Sequence, residues 1–180
     1  MSDIAGGAVV DRVSTGKPHL DAVLHGGFPA HSINIIMGPP GTGKTILAQQ
    51  TLFHNARPDR PAMYMTTLSE PLAKLVGYLQ GFAFYDESLM LDAVHYEDLG
   101  PGLLEHGVKY LVDRVKAVIK ETGPAILVID SFKALHDLTE SPVETRRMAS
   151  ELGGILSAYD VTTFLVGEYD PDDVARYPEF

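Results

Sequence analysis

The sequence contains no cysteine. Disulfides, thiolate metal sites and cysteine nucleophiles are therefore excluded, which is compatible with a cytoplasmic protein. Long apolar runs are also missing: none approaches the roughly 18 residues of a membrane span. Met1 to Val10 lacks the basic start and apolar core of a secretory signal. Basic residues are scarce, with 14 Lys and Arg against 24 Asp and Glu and a net charge of −10. Such a balance repels nucleic acid and anionic membrane. The tightest basic pair, Arg146-Arg147, reads as a solvated helix face. The seven histidines show no H-E-x-x-H or similar ligand spacing. There is no G-x-S-x-G elbow, no internal repeat and no linker-like stretch. One α/β domain over residues 1–180 is the expectation.

What is present is concentrated at Ile33 to Thr45. Four apolar strand residues, Ile33, Ile35, Ile36 and Met37, run into Gly38-Pro39-Pro40-Gly41-Thr42-Gly43-Lys44-Thr45, which matches the phosphate-binding pattern G-x-x-x-x-G-K-[ST]. Glycines let the backbone take positive φ and turn its N–H groups onto a phosphate. Lys44 supplies a point charge for the β- and γ-phosphates, and the Thr45 hydroxyl is a Mg²⁺ ligand. The helix opening here adds its positive end, with Ile46 still at the cradle. Chance produces this combination in roughly one chain in a hundred of this size.

The remaining pattern alternates strand and helix. A short strand is expected within Val9 to Thr15 and a short helix over Pro18 to Leu24, with Phe28 to His31 as a turn. Ala62 to Thr67 reads as a buried strand, Leu72 to Leu79 as a helix and Leu91 to Tyr96 as a weaker strand. A helix over Leu103 to Lys120 carries a stripe of Val108, Leu111, Val112, Val115 and Ile119. Ala125 to Asp130 is an unbroken apolar run ending in an acid, as in strands buried on both faces of a parallel sheet. Val143 to Tyr159 reads as a helix in which Gly153-Gly154 allows close approach to the sheet. Thr162 to Val166 is a further strand, and Asp170 to Phe180 an irregular tail. Tyr64, Tyr78 and Phe82 read as core.

Alternation of this kind means a parallel sheet with helices on both faces. Ligands of such sheets bind at the carboxyl ends of the strands. The P-loop, Asp130 and Glu168 would meet there, with the Ser69-Glu70 corner nearby. Asp130 is the expected partner of Thr45, holding Mg²⁺ through water. Ser131 would orient Asp130 or a water, or cap a helix.

Ser14-Thr15-Gly16, Leu20-Asp21 and Leu24 to Pro29, followed by the P-loop, resemble the lead-in of the KaiC/RadA branch of RecA-type ATPases. Leu68-Ser69-Glu70-Pro71 resembles its Leu-Glu-Glu-Pro corner, Ile129-Asp130-Ser131 its second motif, and Phe164 to Glu168 its strand ending in Glu. The likeness runs from about Arg12 to Glu168. It implies a three-layer RecA-like P-loop core (lead-in 1–32, nucleotide-binding core 33–168, tail 169–180). It also implies ATP and Mg²⁺ as cofactors, and a homo-oligomeric ring or filament with nucleotide at subunit interfaces.

In that family the acidic corner activates the attacking water. Here Glu70 matches, while Ser69 replaces the first acid and cannot be the same base. Glu168 is a second candidate for positioning water. His31 stands where the family has Gly. The family's C-terminal strands, with their trans-acting Lys or Arg, are expected to be missing, since the chain stops at Phe180. The expectation is a slow Mg²⁺-dependent ATPase acting in an oligomer, with Lys44, Glu70 and Glu168 as catalytic candidates. A non-hydrolysing, nucleotide-gated assembly module with a signalling partner is the alternative. Autophosphorylation and service to DNA recombination stand behind it, with no direct nucleic-acid contact expected.

Overall fold

The computed structural model describes residues 10–68, 71–136, 138–139 and 141–169. In chain order the elements are β1 (Arg12–Val13), α1 (Pro18–Val23), β2 (Phe28–Pro29), β3 (Ile33–Met37), α2 (Lys44–Asn55), β4 (Ala62–Thr66), α3 (Leu72–Leu79), α4 (Glu87–Asp92), β5 (Val94–Asp98), α5 (Gly100–His106), α6 (Val108–Thr122), β6 (Ile126–Asp130), α7 (Lys133–His136), α8 (Pro142–Ala158) and β7 (Thr162–Gly167).

Five strands form one parallel sheet in the order β3-β7-β6-β4-β5. All five carboxyl ends therefore lie on one edge. Alternation along each strand divides the core into two. Met63, Met65, Leu127, Ile129 and Leu165 pack with α6 and α8 residues such as Leu111, Val115, Met148 and Leu152. Ala62, Tyr64, Ile126, Val128, Phe164 and Val166 pack on the opposite face with Ala48, Leu52 and Phe53 of α2 and Leu75 and Leu79 of α3. This is the three-layer α/β arrangement of a RecA-like core. Among the described residues no helix is long and apolar enough to cross a membrane.

The structure corrects several sequence expectations. Phe28–Pro29 is not only a turn: it pairs antiparallel with Arg12–Val13. The helix expected over 103–120 is two helices. Gly107 has φ +68, outside the helical region, and its N–H closes α5 on the Leu103 carbonyl at 2.9 Å. The α5–α6 corner is tight, because a Cβ at Gly102 would come within 2.2 Å of the Tyr110 ring. The strand expected at 91–96 begins only at Val94. Asp86 caps α4 by accepting from the Ser88 and Leu89 N–H groups at 2.9 and 3.4 Å, which draws Leu91 into the helix. Gly153 and Gly154 do not serve close approach: a Cβ at either would meet nothing within 4 Å. Tyr78 is not core, being 63% exposed.

The lead-in segment is tied to the helix that follows the P-loop. Asp21 of α1 accepts from Ser14 Oγ at 2.5 Å and from the Thr15 N–H and Oγ1, both at 2.7 Å. Two side chains of α2 then hold this backbone, Gln50 donating to the Thr15 carbonyl and Asn55 to the Ser14 carbonyl, each at 2.7 Å. His31 adopts φ +53, a conformation that favours Gly, and its Nδ1 lies 2.6 Å from the Asp160 carbonyl oxygen.

Candidate nucleotide site

The loop between β3 and α2 owes its shape to two glycines. Gly41 and Gly43 have φ +76 and +85, which a side chain would strain, and a Cβ at either would meet no atom within 4 Å. The loop's outer side is thus open to a phosphate. Lys44 is buried, and its Nζ donates to the Pro39 carbonyl at 2.8 Å. Thr42 Oγ1 donates to the same carbonyl at 2.9 Å. Lys44 is thereby held over the loop at the start of α2, where N–H groups and helix dipole favour an anion.

β6 delivers Asp130 to the same place. Thr45 Oγ1 donates to Asp130 Oδ2 at 2.7 Å, across 85 positions of sequence. The Tyr64 hydroxyl donates to the same oxygen at 2.6 Å. Burial pushes the Asp130 carboxyl up, while these two hydrogen bonds and the Lys44 charge pull it back. Thr67 fixes the adjoining backbone: its N–H donates to the Asp130 carbonyl at 2.9 Å, and its hydroxyl accepts from the Ser131 N–H at 3.1 Å.

A cavity of about 730 Å³ lies over this edge of the sheet. Gly41, Gly43, Lys44, Thr45 and Ile46 line it from the loop and α2, and Asp130, Ser131 and Glu168 from the ends of β6 and β7. Gly38, Pro39, Pro40 and Thr42 complete the loop without lining the cavity. Tyr64 and Tyr78 also line it; neither is in the motif, and the contact of Tyr64 with Asp130 is between strands rather than along the chain. Ser69 and Glu70 lie outside the described residues. Two hard oxygen donors, the Thr45 hydroxyl and the Asp130 carboxylate, stand side by side beside a lysine and an anion cradle. This donor set suits Mg²⁺ and a polyphosphate together.

The sequence profile of the KaiC ATPase family matches residues 13–177. The chain belongs to the KaiC ATPase family. It is 28% identical over 174 residues to a UPF0273 protein of Aeropyrum pernix, covering 89% of this chain and 69% of the relative. It is equally identical, 28% over 173 residues, to a UPF0273 protein of Thermotoga maritima, covering 89% and 71%. Against the circadian clock oscillator protein KaiC of Picosynechococcus the identity is 28% over 179 residues, covering 93% of this chain and 34% of that protein. A KaiC-like, RecA-type ATPase domain carries nucleotide-binding function.

Proposed function

We propose that this KaiC-family domain binds ATP with Mg²⁺ at the P-loop and hydrolyses it slowly to ADP and phosphate, within a homo-oligomer. The observation that carries this reading is the meeting of Lys44, Thr45, Asp130 and Glu168 on one cavity at the carboxyl edge of the sheet. In this reading the N–H groups of Gly41 to Thr45 and the Lys44 ammonium bind the phosphates. The Thr45 hydroxyl and the Asp130 carboxylate hold the metal, the latter through water. When bound, Mg²⁺ neutralises charge on the phosphate oxygens. Glu168, exposed at the end of β7, and Glu70 order the attacking water and take up its proton. Ser69, in place of the family's first acid, keeps the rate low.

Phosphate release by the purified chain, with Lys44→Ala as blank, tests hydrolysis. A wild-type rate well above the blank is expected. Tight ATP binding with a rate equal to the blank would instead leave a nucleotide-gated assembly module.

A further inference from the structure

Asp130 has a hydrogen-bond donor that the phosphate-binding motif does not supply. β4 lies beside β6 with Thr66 opposite Asp130, so Tyr64 stands two residues back on the same face. Tyr64 is 1% exposed. Its hydroxyl and that of Thr45 converge on Asp130 Oδ2, at 2.6 and 2.7 Å. A carboxylate oxygen has two lone pairs, so these two donors fill it. The Tyr64 ring packs on Tyr96 with centroids 5.4 Å apart. The Tyr96 hydroxyl in turn donates to Gln49 Oε1 at 2.7 Å. Gln49 is one helical turn beyond Thr45 on α2, on the same side of the helix. Both donors to Asp130 thus trace back to the P-loop helix, one directly and one through the Tyr96–Gln49 bond.

We propose that Tyr64 is a positioning residue for Asp130, occupying Oδ2 so that Oδ1 is the oxygen presented to a Mg²⁺-bound water. The inference rests on the reading of the cavity as a Mg²⁺–nucleotide site. Without the tyrosine hydroxyl the carboxylate has one anchor and can turn about its terminal bond. Partners of this kind, one step removed from a metal, govern its affinity by about 10–100-fold.

Binding of a fluorescent ATP analogue to the full chain, in EDTA and across a Mg²⁺ titration, tests this. Tyr64→Phe keeps the ring on Tyr96 and removes only the hydroxyl. Its metal-free affinity is expected within about twofold of wild type, while the Mg²⁺ concentration giving half the metal effect rises about tenfold. Tyr96→Phe removes a neighbouring half-buried hydroxyl but keeps the Tyr64 donor, and its Mg²⁺ midpoint is expected to move less than about threefold. An unchanged midpoint in Tyr64→Phe overturns the proposal, and so does an equal loss of metal-free affinity, which marks a structural role. If wild type fails to bind the analogue at all, the nucleotide reading falls and this inference with it.

A second measurement needs no Tyr64 variant. The chain has no tryptophan, so its eight tyrosines dominate the near-ultraviolet absorbance. Adding Mg²⁺ to the wild-type–ATP complex is expected to give a tyrosine difference band that survives in Tyr78→Phe. Absence of that band overturns the role of Tyr64 even where Tyr64→Phe does not fold.

Discussion

Asp21 illustrates how one side chain does structural work that a motif comparison leaves unexplained. Its hydrogen bond from Ser14, with those from Thr15, holds the carboxyl below the usual carboxylate range. A lowered folded pKa contributes stability that is present above the unfolded value of about 3.9 and lost as pH falls through the folded value. Asp21→Ala should therefore lower unfolding free energy by about 1 kcal/mol near neutral pH. The gap to wild type should close as denaturation curves are repeated at falling pH below about 4. At this scale the phosphate loop was readable from sequence, because phosphate chemistry fixes residue types at neighbouring positions. Ser14 and Asp21 are also close enough in sequence for their contact to be read. Tyr64 was read as core, and buried it is. Its bond to Asp130 spans 66 positions and exists only through strand order, which no local pattern encodes.

Among the elements, the inner strands β4, β6 and β7 were legible from apolar runs, since strands buried on both faces need continuous hydrophobicity, whereas the edge strand β5, with a polar second half, was expected three residues too early. The helices were less so, because their limits turn on single residues. Gly107 separates α5 from the apolar stripe of α6, which runs unbroken from Val108 to Ile119, and periodicity does not register a positive φ. Gly107→Ala is expected to cost about 1–2 kcal/mol, as the φ of +68 is strained for any Cβ although space is free. Gly153→Ala and Gly154→Ala, in the interior of α8 with open space around them, should have the opposite sign. Each is expected to stabilise by about 0.5–1 kcal/mol, raising the melting temperature by about 2 °C. Calorimetry on the three variants checks both signs.

For the whole molecule, β3 is paired on one side only among the described residues, and Ile33, Ile35 and Met37 on it are 37%, 36% and 41% exposed. A free strand edge with apolar side chains favours association, and this supports the proposed oligomer. Mass in solution by light scattering should rise on adding ATP and Mg²⁺, and Lys44→Ala should abolish the nucleotide-dependent part. An unchanged mass in wild type would count against assembly through nucleotide.

The bond from Thr45 to Asp130 has a further consequence, for folding rather than catalysis. Its partners belong to β3–α2 and to β6, and β7 lies between those strands in the sheet. The two halves of the site therefore come together only when the centre of the sheet is assembled. A nucleotide that needs both halves binds the native state and not the unfolded chain. At a thousand times its dissociation constant it adds about 4 kcal/mol to the stability of the whole domain. Nucleotide supply would then set how long the chain survives as well as how it acts, with depletion exposing the entire sheet to unfolding.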